Sequence, residues 1–333
     1  MTELAVITPS WKPDAELFAE LHRSVLDNTS DDTVHHVIVP AAHKSTFAKY
    51  AGRRCRIWTH PELIPRRYWR MPGGVWVNAA RPWPPVRGWI MQQAAKIAAA
   101  GAIEADVVLL ADSDAVLVRP TSGKRFIVDG TLSLLREEGA VTAGMERHVL
   151  WHQVARDLLG LPAAPPPPLP DYVGPLVFWD PVVVRAMQRR ISETTGRHWL
   201  EAFTSQLHIS EFIVYGVFVD EVLDTRPASS PLVCHNWYER TPLDHESAAA
   251  FAERLGPDSV GVMISSHSGT PRDVRLAAIE HSSGPRGARR RTGRNGSGVD
   301  TAPAGAHPCQ FLPSLPAWAG SSPLPGGRFR GIS

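Results

Sequence analysis

The run Val107-Val108-Leu109-Leu110 reaches Ala111 and then stops in Asp112-Ser113-Asp114. Unbroken apolar residues without polar alternation predict a strand buried on both faces, the kind found in the parallel sheets of α/β proteins. We place it within residues 106–118. Its abrupt end is as informative as its core. Two carboxylates one residue apart repel each other unless a cation or solvent screens them. Open α/β sheets bind ligands at such strand ends. Two hard oxygen donors suit Mg2+ or Mn2+ on a diphosphate, whose phosphate oxygens complete the metal shell. An acidic turn that merely closes a core strand is the plainer alternative.

The residues before this strand set its context. Residues 4–8 and 34–40 are short apolar runs. Between them Leu17, Phe18, Leu21, Val25 and Leu26 recur at helical spacing, and residues 45–50 open a second helical patch before a strand-like 56–59. This βαβ rhythm predicts a mostly parallel central sheet flanked by helices. Residues 61–88 hold Pro65, Pro72, Pro82, Pro84 and Pro85 among tryptophans and arginines and are expected to form a long surface loop. Helix formers over 89–100 then lead into the central strand. Downstream, the prolines of 162–170 predict an extended flap. Residues 172–179 read as a strand, 182–203 as one long helix, and 211–223 as a β-branched, aromatic segment deep in the core. We therefore expect one domain over 1–280 with a disordered tail over 281–333, where Gly, Ser, Arg and Pro replace any apolar period.

Composition narrows the function. Lysine and arginine number 35 against 33 aspartates and glutamates, a net charge of +2, and the basic residues are scattered outside the tail run 286–294. That argues against nucleic acid as a partner. Cys55, Cys234 and Cys309 show neither disulfide nor zinc spacing. No run reaches the ~18 apolar residues of a membrane span, and the first residues enter a strand without a basic leader. A cytoplasmic enzyme is the expectation.

At this point a resemblance becomes specific. Ile7-Thr8-Pro9-Ser10-Trp11, Gly88-Trp89-Ile90-Met91-Gln92-Gln93-Ala94-Ala95-Lys96 and Leu110-Ala111-Asp112-Ser113-Asp114 stand in the order seen in GT-A-fold glycosyltransferases. Asp171-Tyr172-Val173-Gly174-Pro175, Ser210-Glu211-Phe212-Ile213 and Ser265-Ser266-His267-Ser268-Gly269 continue it. The chain resembles those enzymes, and more narrowly an uncharacterised actinobacterial family, DUF6492, related to them.

The resemblance implies a nucleotide-sugar donor, a small-molecule or glycan acceptor, and Mn2+ or Mg2+ as cofactor. It implies that Thr8, Pro9 and Ser10 form the loop against the nucleotide, and that Asp112 and Ser113 also take part in holding the donor. Gln92 and Lys96 share a helix face, from which Lys96 would reach the diphosphate; a solvated lysine is the alternative. Asp112 and Asp114 are the implied metal ligands and His267 the late third one, although the following Gly269-Thr270-Pro271-Arg272-Asp273 departs from the fuller pattern of one such family. Glu211, beside an apolar run, is expected to be partly buried, a setting that suits a general base for the acceptor hydroxyl; a structural, salt-bridged glutamate is the alternative. Trp179, Trp237 and Tyr238 offer either aromatic faces for a sugar or plain core packing.

Two rivals share parts of this pattern. A haloacid-dehalogenase-type phosphatase would use Asp112 as nucleophile and Asp114 as acid/base, with Asp220-Glu221 imitating its later acidic pair, yet about 105 residues precede the motif here. A sugar nucleotidyltransferase would open with a glycine-rich loop, and residues 8–13 hold no glycine. A non-catalytic carbohydrate-binding protein would need neither the paired acids nor the nucleotide loop.

Overall fold

The computed structural model describes residues 2–223, 225 and 227–284. The first half runs β1 (Thr2–Pro9), α1 (Ala15–Asn28), β2 (Val34–Val39), β3 (Cys55–Thr59), β4 (Tyr68–Arg70), β5 (Trp76–Asn78), β6 (Arg81–Val86), α2 (Gly88–Ala102), β7 (Ala105–Ala111) and β8 (Ala115–Leu117). The second half adds α3 (Glu146–Leu159), β9 (Leu176–Trp179), α4 (Pro181–Thr195), α5 (Trp199–Thr204), α6 (Glu211–Glu221), β10 (Cys234–Trp237), α7 (His245–Glu253), β11 (Gly261–Ile264) and α8 (Arg272–Ser283).

The central sheet has the order β9-β7-β1-β2-β3. β7, β1, β2 and β3 are parallel, and β9 closes the β7 edge antiparallel. The expected α/β class with a mostly parallel sheet is what the structure shows. Its sequence cause is visible in β1 and β7. Ala5, Ile7, Val108 and Leu110 enter the core on the α2 side, while Leu4, Val6, Val107, Leu109 and Ala111 enter the core on the α1 side. Strand side chains alternate in direction, so a strand apolar at every position must be covered on both faces.

The expected strand over 106–118 is two strands. The chain leaves the central sheet after Ala111, turns through Asp112-Ser113-Asp114, and re-enters as β8 in a second sheet of order β10-β11-β8. The acidic turn thus lies at the seam between the two sheets.

Three expectations are corrected. Residues 68–86 form a three-stranded antiparallel sheet, β4-β5-β6, rather than a loop. The prolines are tolerated because β6 is an edge strand and its missing N–H groups face no partner. Within 162–170, the last two residues join a strand, Leu169–Asp171, antiparallel to Glu137–Val141, and the preceding chain is tied to α3 by Arg156 Nε donating to Pro162 O at 2.7 Å. The helix expected over 182–203 is broken at Gly196, which adopts a left-handed φ of 64°. Residues 211–221, expected deep in the core, are buried there as a helix. α6 is buried all round, so its β-branched and aromatic residues satisfy packing rather than a strand.

Of the expected tail, residues 281–283 belong to α8, while 285–333 lie outside the described residues. Among the described residues no helix is long and apolar enough to cross a membrane.

Candidate active site

The acidic turn is pinned from three directions. The Asp112 N–H donates to Pro175 O at 3.1 Å, and the Ala115 N–H closes the turn on Asp112 O at 3.0 Å. Ser113 Oγ donates to Pro9 O at 3.0 Å and lies 3.1 Å from Ser10 Oγ. This brings the end of β1 against the turn and spends the Ser113 hydroxyl on positioning. Asp114 Oδ2 accepts the Ser266 N–H at 2.9 Å, and its main-chain oxygen accepts Arg275 Nη2 at 2.7 Å. Arg275, buried in α8, also donates to Ile264 O and pairs with Glu20.

Behind the turn lies an ion pair. Lys96 of α2 and Glu211, the first residue of α6, are in contact, with side chains only 8% and 3% exposed. Gln93, one turn before Lys96, accepts the Glu211 N–H through Oε1 at 2.9 Å. Two residues that the sequence suggested for separate tasks are therefore one unit. Burial alone disfavours the Lys96 ammonium, but Glu211 and then Asp112 outweigh it, so its pKa is raised. Asp112 is pushed up to about 6, first by burial, with Asp114 and Glu211 adding to the rise and Lys96 opposing it. Two carboxylates, Glu211 and Asp112, thus share one ammonium, with Asp114 adding its charge beside Asp112. A site in that state gains electrostatically from another cation.

The remaining expected residues fall in varied places. Thr8 is fully buried and its hydroxyl is 2.9 Å from His35 Nε2, so it serves the sheet. Pro9 and Ser10 stand beside the turn. Gln92 is exposed while Lys96 is buried, and the inward residue of that helix is Gln93. His267 is exposed, on the short turn Ser266–Ser268 that also binds Asp114. Sequence reasoning missed Asp14: burial raises its pKa, a hydrogen bond from Trp11 at 2.7 Å opposes this, and the charges of Asp114 and His267 both reach it. Nothing in the spacing of residue 14 signals this, because the three come together only through the second sheet.

Among the described residues no group of three or more His, Cys, Asp or Glu is arranged to hold a metal ion. Asp112 and Asp114 offer hard oxygen donors in an anion-rich site, which fits a divalent cation shared with a phosphate ligand. Cys234 beneath them is buried, and burial together with Asp114 and Asp112 pushes its thiol well up, which argues against a thiolate role.

The secondary acidic pair is used elsewhere. Asp220 is bound by Arg136 and by the Tyr172 hydroxyl at 2.6 Å, and Glu221 by Arg156. Trp179 is fully buried and stacks on Tyr215, so it is core. Trp237 donates to Thr241 O at 3.0 Å, and Tyr238 is 36% exposed.

A family model described as a family of unknown function, DUF6492, matches residues 7–247. Among solved structures the chain is similar to mouse xyloside xylosyltransferase 1 in its apo form, at 12% identity, covering 81% of this chain and 100% of that one, with a TM-score of 0.41. It is similar to the apo WbbM bifunctional glycosyltransferase at 11% identity, covering 84% of this chain and 50% of that one, with a TM-score of 0.42. An active-site mutant of LgtC is a further likeness, at 12% identity over 78% of this chain and 86% of that one, with a TM-score of 0.37. No curated protein matches.

Proposed function

We propose that this chain, which belongs to the DUF6492 family, is a glycosyltransferase that moves a sugar from a nucleoside-diphosphate donor to an acceptor hydroxyl with the help of Mn2+ or Mg2+. The observation that carries the reading is the Lys96–Glu211 pair set against Asp112 where β7 leaves the sheet. Asp112 and Asp114 would hold the metal with the donor's phosphates. When bound, it supplies a positive charge that stabilises the departing nucleoside diphosphate.

The protein's own residues do the rest. The Pro9-Ser10 end of β1, fixed to the turn by Ser113, forms a wall for the nucleotide. Lys96 places a second positive charge near the diphosphate. As the phosphate draws the ammonium, the Glu211 carboxylate is released to accept a proton. The acceptor O–H gives that proton to Glu211, its oxygen bonds to the anomeric carbon, and the carbon–oxygen bond to the diphosphate breaks with its electron pair leaving on phosphate. A single displacement of this kind inverts the anomeric configuration. His267, on the turn that binds Asp114, is proposed as a further residue that would help hold the metal.

The test is calorimetric titration of the full chain with UDP, GDP and TDP, each with and without Mn2+, for wild type and Asp114→Asn. One nucleotide binding only with metal, and losing that dependence in Asp114→Asn, supports the reading. Metal-independent binding, or none, refutes it.

A further inference from the structure

α2 presents Trp89, Gln93 and Lys96 on one face, being spaced four and three apart. It leads directly into β7, so its first turn stands at the carboxyl edge of the sheet. Seven residues separate Trp89 from Lys96, about 10 Å of helix rise. Trp89 therefore marks a rim beyond the Lys96–Glu211 pair.

That rim is cationic. Trp89 stacks on Trp151 of α3 with ring centroids 5.7 Å apart. The Arg147 guanidinium lies 5.0 Å from each of the two indoles. Arg87, at the N-terminus of α2, donates to Leu207 O at 3.3 Å, which places it beside His208. The three groups act on one another: burial and then Arg87 lower the pKa of Arg147, and burial, Arg87 and Arg147 lower that of His208. Two buried donors belong to these same helices, one on α2 and one on α3. Gln93, 1% exposed, has Nε2 without a hydrogen-bond partner among the described residues, and so has Nε1 of Trp151, 4% exposed. A buried donor left unpaired costs roughly 1–3 kcal/mol.

We propose that this rim is the acceptor subsite and that it takes an oxyanion, so that the acceptor is a sugar or related molecule carrying a carboxylate or phosphate. The assignment rests on the glycosyltransferase reading above. The chemistry is one-sided. Two guanidiniums and two N–H donors offer hydrogen bonds and accept none, and guanidiniums match planar or tetrahedral oxyanions in bidentate fashion. The stacked indoles supply a flat apolar wall for the ring that bears the anion. The donor's diphosphate is a second possible source of the same chemistry, but it is already accommodated at Lys96 and the acidic turn, about 10 Å away along the helix.

The experiment is a titration of the full chain with inorganic phosphate, without nucleotide or metal, followed by calorimetry. Wild type is expected to bind one phosphate saturably in the millimolar range. Arg147→Met, which keeps apolar contact with the indoles, and Arg87→Met, at an exposed position, are each expected to weaken it about ten-fold or more. Asp114→Asn is expected to bind as wild type does. A mixture of UDP, GDP and TDP at saturation with Mn2+ is expected to leave phosphate bound. Absence of saturable binding, or equal binding by both arginine variants, overturns the proposal. Displacement of phosphate by the nucleotides overturns it too, by assigning the rim to the donor. Failure of the nucleotides to bind at all would instead refute the glycosyltransferase reading, so the two failures are separable.

Discussion

Replacing Lys96 by Met should be among the most costly single changes in this chain. The side chain is 8% exposed and its partner Glu211 is 3% exposed. The substitution removes the ammonium and leaves the Glu211 carboxylate buried beside Asp112, which loses the one charge that opposes its rise in pKa. Breaking a buried pair by deleting one partner costs about 3–5 kcal/mol, whereas replacing both partners by apolar residues of similar volume is often neutral. Lys96→Met is therefore expected to lose about 4 kcal/mol, and Lys96→Met with Glu211→Leu to regain most of it, a coupling of about 3 kcal/mol where independent sites add to within roughly 0.5 kcal/mol. At 2–4 °C per kcal/mol, the single variant should melt roughly 10 °C below wild type. Urea unfolding of wild type, both single variants and the double variant at pH 7 completes the cycle. Additive losses would show that the two side chains do not interact and would remove the basis of the proposed proton transfer. Transfer should be abolished in all three variants, since the double variant restores the fold without the chemistry.

The fold should lose stability in acid. His36, His60 and His148 are each lowered to about 4 from 6.5 by burial, with Arg56, Arg70 and Arg147 respectively adding to the effect. A histidine depressed in the folded state contributes stability that is present above pH 6.5 and lost as pH falls towards 4, about 3 kcal/mol for each. Asp112 and Asp171, raised by burial from 3.8 to about 6, act oppositely, favouring the fold below pH 4 by about 3 kcal/mol each. The three histidines outweigh the two aspartates, so melting curves between pH 7 and 4 should show a net loss of about 3 kcal/mol, and a flat or rising profile would contradict this balance. Gly216→Ala should destabilise despite alanine's better helix propensity, because its Cβ would lie 2.1 Å from Tyr172 Cγ. Overpacking of this kind costs roughly 1–3 kcal/mol, and a variant that melts above wild type would show that the ring moves freely. Ser113→Ala should leave the metal-free fold within about 1 kcal/mol of wild type while weakening nucleotide affinity several-fold, since one neutral hydrogen bond is lost but the wall formed by Pro9 and Ser10 loosens; calorimetry on both forms checks it.

Much of the fold was legible because its signals are local. The central strand announced itself by apolar residues at every position, and the structure buries alternate members of it in two different cores. The acidic turn was legible because two charges cannot end such a strand without a reason. Local signals were incomplete where tertiary context decided the element. Residues 211–221 carry strand-forming side chains yet form a helix, since a helix surrounded by core needs apolar residues all round. Residues 81–86 form a strand of six residues that includes three prolines, which an edge position tolerates and sequence alone does not disclose.

The sequence by itself determined the class of the fold, the position of the buried strand and the carboxylates at its end. All three follow from hydrophobic period and charge over a few neighbouring residues. Only the tertiary structure decided that Lys96 pairs with Glu211, that Asp14 lies near Asp114 and His267, and that Arg147 lies over two stacked indoles within reach of the Arg87 charge. Those partners are separated by tens to more than a hundred residues. Coulomb energy depends on distance in space, and no spacing along the chain encodes it until the sheets and helices have packed.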